Sequence, residues 1–197
     1  MAIGLELSPM KHNQALLTAN SWHACRDRPK WRGRWKSERL VLHCGNVMNI
    51  CRSSFSTHIY CFSVGMPPET IRHILRIAID SPVTKVLMMY GGKSSWGDVR
   101  NTRKFRMSMK GSQEKHTCTV IPMTTINREI IGRYIGGAAV VPSLGGGKNI
   151  ESETLVFEKL VKEVSEMSDS GYSLFVDSWK QDNNLLTTVR SLRSANK

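Results

Sequence analysis

Between Arg26 and Arg39 the chain reads RDRPKWRGRWKSER, a stretch that no hydrophobic core can absorb. Arg26, Arg28, Lys30, Arg32, Arg34, Lys36 and Arg39 are opposed only by Asp27 and Glu38. A buried charge without a partner is too costly to keep, so most of these side chains must stay in water. Pro29 and Gly33 oppose a continuous helix. The stretch therefore reads as a flexible basic arm between an N-terminal leader and the main body of the chain. Trp31 and Trp35 sit among the cations. Cations attract phosphate or anionic lipid regardless of sequence, and indole rings stack on bases or settle among headgroups. The bland alternative is a solvated arm whose tryptophans pack back onto the domain.

The rest of the charge extends this reading. The chain of 197 residues carries a net charge of +12, with 40% hydrophobic and 22% charged residues. Residues 151–197 hold six basic and eight acidic residues, a balance of −2, which leaves +14 on residues 1–150. A basic body beside a mildly acidic end suits polyanion binding and head-to-tail association. The length allows one well-buried core. The predicted organisation is a flexible leader and arm over 1–36, one α+β domain over 37–180 and a polar tail over 181–197. Cys25, Cys44, Cys51, Cys61 and Cys118 are odd in number and widely spaced, which predicts reduced thiols. Met1–Asn20 shows no signal-peptide pattern, and no apolar run is long enough to span a bilayer.

Hydrophobic periodicity places the elements. The leader predicts only a short helix near Gln14–Ala19, with Leu5, Leu7, Leu16 and Leu17 free to dock on a neighbouring molecule or to fold back. Leu40–Met48, bent at Gly45-Asn46, and Phe55–Val64 predict strands that could pair antiparallel. Met66-Pro67-Pro68-Glu69-Thr70 opens a helix whose face is Ile71, Ile74, Leu75 and Ala78, and Asp80-Ser81-Pro82 ends it. Val83–Tyr90 reads as a strand and Gly91–Thr102 as a loop. Phe105, Met107 and Met109 alternate with Lys104, Arg106 and Lys110, predicting a strand with an apolar core face and a basic outer face. His116–Met123 returns as its hairpin partner. Ile126–Ile135 predicts a helix capped by Thr125, Ala138–Val141 an edge strand and Gly145-Gly146-Gly147 a hinge. Glu151–Ser168 predicts a helix with Val156, Phe157, Leu160, Val161, Val164 and Met167 inside and Gly171 as its stop. Tyr172–Trp179 reads as a final strand. The fold class is α+β, a mainly antiparallel sheet packed against two or three helices.

Motifs that could carry chemistry are incomplete. Gly91-Gly92-Lys93-Ser94 follows a strand like the end of a phosphate loop, but Leu87 stands where the first glycine belongs. His43, Cys44, Cys51, His58 and Cys61 cluster without the paired short spacings of a zinc site, so they are expected to pack as ordinary side chains. No nucleophile–base set stands out. The expectation is therefore no catalytic residue, no metal and no cofactor. Met66-Pro67-Pro68-Glu69-Thr70 lacks the tyrosine of a proline-rich budding signal.

The C-terminal third holds an amphipathic helix with Phe157-Glu158-Lys159, then Ser170-Gly171, then an expected strand with Leu174-Phe175-Val176-Asp177-Ser178. With the size, the basic excess and the polar leader, this resembles the matrix proteins of rhabdoviruses, more so their plant-infecting branch. The resemblance implies a virion protein that is also found in host cytoplasm, nucleus or at the membrane periphery. It implies a non-enzymatic protein that condenses a viral nucleocapsid or RNA, associates peripherally with anionic membrane and forms homo-oligomers. The expected binding residues are Arg26, Arg28, Lys30, Trp31, Arg32, Arg34, Trp35 and Lys36 of the arm, and Lys104, Arg106 and Lys110 of the alternating strand. A basic RNA-binding regulator, such as a viral suppressor of silencing, is the alternative, and an enzyme with an unrecognised site the third.

Overall fold

A computed structural model of the chain describes residues 1–26, 39–90, 99–108, 115–136, 148–176 and 178. They form two compact units, one of residues 1–49 with 152–197 and the other of residues 50–151. The single body expected over 37–180 is thus divided differently, because the leader joins one unit. The fold class is α+β, with more helix than the sequence suggested.

The first unit begins with strand β1 (Ala2–Glu6) and helix α1 (Pro9–Arg26). Pro9 occupies the first turn, where its missing N–H costs nothing, and the Ser8 carbonyl accepts from His12 N–H at 2.9 Å. β1 pairs in parallel with strand β2 (Leu40–Cys44). Of the outcomes left open for the leader, docking on a neighbour or folding back, it folds back: Leu16 and Ala19 are buried with Val41, Val164, Tyr172 and Val176. Leu7 and Leu17 remain exposed. β2 therefore has β1 as its partner, and its expected antiparallel pairing with Phe55–Val64 does not form.

Helix α4 (Lys148–Glu166) buries Thr154, Phe157, Val161 and Val164, a spacing of three or four residues. Val156, expected inside, is 57% exposed. Residues 169–176 form a further helix, α5, where a strand was expected. The Ser168 hydroxyl caps it, accepting from Gly171 N–H at 3.1 Å, so Gly171 lies within α5 and does not stop α4. Tyr172 and Val176 are buried and Phe175 half-buried, a helical rather than alternating pattern, and Leu174 is exposed. Residues 172–176 of the expected final strand are thus helical.

The Arg39 guanidinium, at the end of the basic stretch, closes α4. Its Nη1 donates to the carbonyls of Val164 at 2.7 Å and Ser165 at 3.0 Å, and its Nη2 to Asp169 at 3.3 Å. A cation is favoured at a helix C-terminus, where carbonyls lack intrahelical donors. The Tyr172 hydroxyl accepts from Leu40 N–H at 2.7 Å, joining α5 to β2. At the far end of β2, Gly45 gives room. A Cβ there would stand 2.9 Å from His43 Nε2 and 3.0 Å from Glu153 Oε1.

The second unit is built on strands β3 (His58–Cys61), β4 (Val86–Tyr90), β5 (Arg103–Ser108) and β6 (Lys115–Pro122), in the order β3-β4-β6-β5. β3 and β4 run parallel, joined by helix α2 (Pro68–Asp80); β6 is antiparallel to both neighbours. Pro68 begins α2, Glu69 favours its positive end, and Ser81 N–H closes it on Ile77 at 3.1 Å. Helix α3 (Thr125–Gly136) is capped by Thr124 rather than Thr125, its hydroxyl accepting from Asn127 N–H at 3.3 Å. Buried Ile74, Leu75 and Ala78 of α2 and Ile131 and Ile135 of α3 supply the helical side of this core. Leu87, Met89 and Ile121 supply the sheet side.

Candidate nucleic-acid interface

Pleating sends successive side chains to opposite faces, so the register decides which residues share a surface. Leu87 and Met89 lie opposite Ile121 and Thr119, and Thr119 lies opposite Lys104. This is the inner face. The outer face is made of two rows. One runs Tyr60, Met88, Val120, Arg103; the other runs Tyr90, Cys118, Phe105, with Phe62 following β3 beside Tyr90.

The outer rows are rich in rings. Tyr60 meets Tyr90 edge-on with centroids 5.4 Å apart, Phe62 lies 5.3 Å from Tyr90, and Phe62 stands edge-on to His116 at 5.8 Å. Tyr90 is buried, whereas Tyr60 is 59% and Phe105 51% exposed. A hydrogen bond with Tyr60, then burial, pushes the Tyr90 phenol above its ordinary pKa, so it remains a neutral support for the outer ring.

Phe105 corrects the sequence reading. The alternation holds, since Phe105 and Arg106 lie on opposite faces, but the apolar face is not a core face at this strand. β5 is bonded only to β6 among the described strands and lies at the sheet edge, where Phe105 keeps half its surface in water. Lys104 and Arg106 are exposed as expected, but they lie on the inner face and not on the expected basic outer face, which carries Arg103, also exposed. Lysine and arginine on an edge strand also discourage pairing with another chain, which is the bland account of these cations.

The other expected site residues divide. Arg26 ends α1. Arg28, Lys30, Trp31, Arg32, Arg34, Trp35, Lys36 and Lys110 lie outside the described residues, as do Met109, the hairpin turn, residues 91–98, the expected edge strand and the glycine hinge. The His/Cys candidates are split between the units. Burial raises the Cys61 thiol to about 11, and its sulfur sits 3.7 Å from that of Met66. Among the described residues no group of three or more His, Cys, Asp or Glu is placed to hold a metal. No described helix is long and apolar enough to cross a membrane.

Compared with known proteins, the chain matches no family model, no curated protein and no solved structure. The interface is therefore argued from its own geometry. Tyr60, Phe62 and Tyr90 were missed as site residues because their companionship depends on the parallel β3–β4 register. The available signal was the spacing of Tyr60 and Phe62, two residues apart and so on one side of an extended chain.

Proposed function

We propose that this is a non-enzymatic structural protein of viral matrix type. It binds and condenses a ribonucleoprotein, associates peripherally with anionic membrane and self-assembles in the virion and the infected host cell. The observation that carries the reading is the excess of +14 on residues 1–150, joined to the exposed cations Arg103, Lys104 and Arg106 on the two faces of an edge strand. Such cations release counterions from phosphates and attract anionic headgroups, so both interactions should weaken steeply with salt. The opposite charge of residues 151–197 suits contact between unlike patches of successive molecules, the kind that grows open assemblies.

Flotation with phosphatidylserine-containing and neutral vesicles, followed by sedimentation with RNA across a salt series, tests this. Flotation only with anionic vesicles and RNA-containing polymers at low salt are expected. A protein that binds RNA but neither floats nor polymerises would instead be the soluble RNA-binding regulator. The aromatic rows favour that second reading, because membrane attraction needs no line of rings across a sheet.

A further inference from the structure

We propose that the outer face of the four-stranded sheet binds single-stranded RNA, with unpaired bases stacked on Tyr60 and Phe105 and Arg103 on the adjoining phosphate. This rests on the RNA-binding part of the function proposed above and assigns it a site outside the basic arm. Three observations converge on it. First, the two exposed rings stand at opposite edges of one face, three strand spacings or roughly 15 Å apart. A comparable four-stranded sheet accommodates about two or three stacked bases. Second, Tyr60 is braced from the side: it meets buried Tyr90 edge-on, and Tyr90 in turn contacts Phe62. A ring fixed before binding loses little freedom when a base covers it. Third, the charge is complementary to a polyanion. β3, β4, β5 and β6 contain no Asp or Glu, and β5 places Arg103 on the outer face, with Lys104 and Arg106 exposed on the opposite face of the same edge strand.

The occupant is single-stranded because a ring can stack only on a base whose face is free. In a duplex those faces are already stacked within the helix, and recognition falls to phosphates and 2′-hydroxyls. Stacking is tolerant of sequence, since every base offers a π-face. The site would therefore favour unpaired segments over duplex without selecting a motif. Arg103 shares the outer face with Phe105, two residues along the same strand, so a phosphate next to the base on Phe105 comes within its reach.

Fluorescence anisotropy of the full chain with labelled oligouridine and oligoadenylate, against a duplex of equal length, tests the assignment. Tyr60→Ala and Phe105→Ala should each weaken single-strand binding about tenfold. Duplex affinity and the salt slope should not change. Tyr60→Phe and Phe105→Tyr, which keep the rings, should bind as the parent does. Tyr60→Leu and Phe105→Leu keep apolar bulk without a π-face and should match the alanine variants, so a folding defect in one series does not remove the test. Replacing Arg103, Lys104 and Arg106 together by Ala should lower single-strand and duplex affinity alike and flatten the salt slope.

Equal losses for single strand and duplex in the ring variants, or no loss at all, would overturn the stacking site while leaving RNA binding in place. A parent protein that binds neither RNA at low salt would overturn both readings. Ring variants that lose flotation with anionic vesicles but keep RNA affinity would reassign the face to a membrane surface and also overturn the proposal.

Discussion

Each of the two units uses an arginine to close the carbonyl end of a helix, and the two arginines differ in partners and reach. Arg128, in the first turn of α3, gathers carbonyls from three places: Ala78 at 3.0 Å and Ile79 at 2.6 Å in α2, Thr84 at 2.5 Å before β4, and Met123 at 3.1 Å after β6. Arg39 meets two carbonyls of α4 and Asp169, an aspartate whose side chain is almost wholly in water. Arg128 joins parts of one continuous segment. Arg39 joins the N-terminal part of the chain to residues more than a hundred positions later. One guanidinium thus ties a locally folded unit together, and the other holds a unit made from two distant segments. The same residue type is a structural tie in both places, so an arginine count overstates the charge available to a ligand.

The largest expected effect that would break the comparison is at Arg128. Arg128→Ala leaves several carbonyls without their donor and should cost about 3–5 kcal/mol, since each unpaired buried group costs about 1–3. Urea denaturation of the full chain should show the loss. A change below about 1 kcal/mol would mean that water replaces the guanidinium without penalty. Arg39→Ala should cost less, about 1–2 kcal/mol, because its ion pair with exposed Asp169 contributes little and only the carbonyl bonds count. Hydrogen exchange should quicken in α4 and α5 and not in the four-stranded sheet. Protection lost in both units would show that they do not open independently.

The smallest expected effect sharpens the contrast through pH. Desolvation lowers the His43 pKa below its ordinary 6.5; the Glu153 carboxylate partly opposes that shift and His12 adds to it. A ring kept neutral in the fold binds fewer protons than in the unfolded chain, so stability falls as pH falls. The contribution is fully present above the unfolded value near 6.5 and is lost as pH drops below it toward the folded pKa. Protection factors in the first unit, corrected for the intrinsic slowing of exchange in acid, should therefore fall as pH drops below about 6.5. In His43→Gln that acid dependence should shrink. An identical acid response in the variant would place the sensitivity elsewhere.

Local signals made several elements legible. Pro67-Pro68 and Ser81-Pro82 bracket α2 because proline fixes where a helix can begin and cannot continue. The period-two run at Lys104–Met107 gave β5, and the hairpin with β6 followed from proximity in sequence. The failures share a cause. Tyr172, Phe175 and Val176 suit a helix or a buried strand, and only the Ser168 cap and the packing against Leu16 and Val41 decide for α5. Leu16 showed nothing of its partners, which lie at Val41, Val164 and Tyr172. Phe105 showed that it alternates, but not that its strand would lie at an edge.

By itself, then, the sequence determined the charge of this protein, the alternation of β5 and the bounds of α2, because these depend on neighbours along the chain. The pairings of β1 with β2 and of β4 with β3 and β6, the partition into two units and the joining of Tyr60, Tyr90 and Phe105 on one face were decided only in three dimensions. Periodicity specifies which side of an element is apolar. It carries no information on which distant element, if any, comes to cover that side.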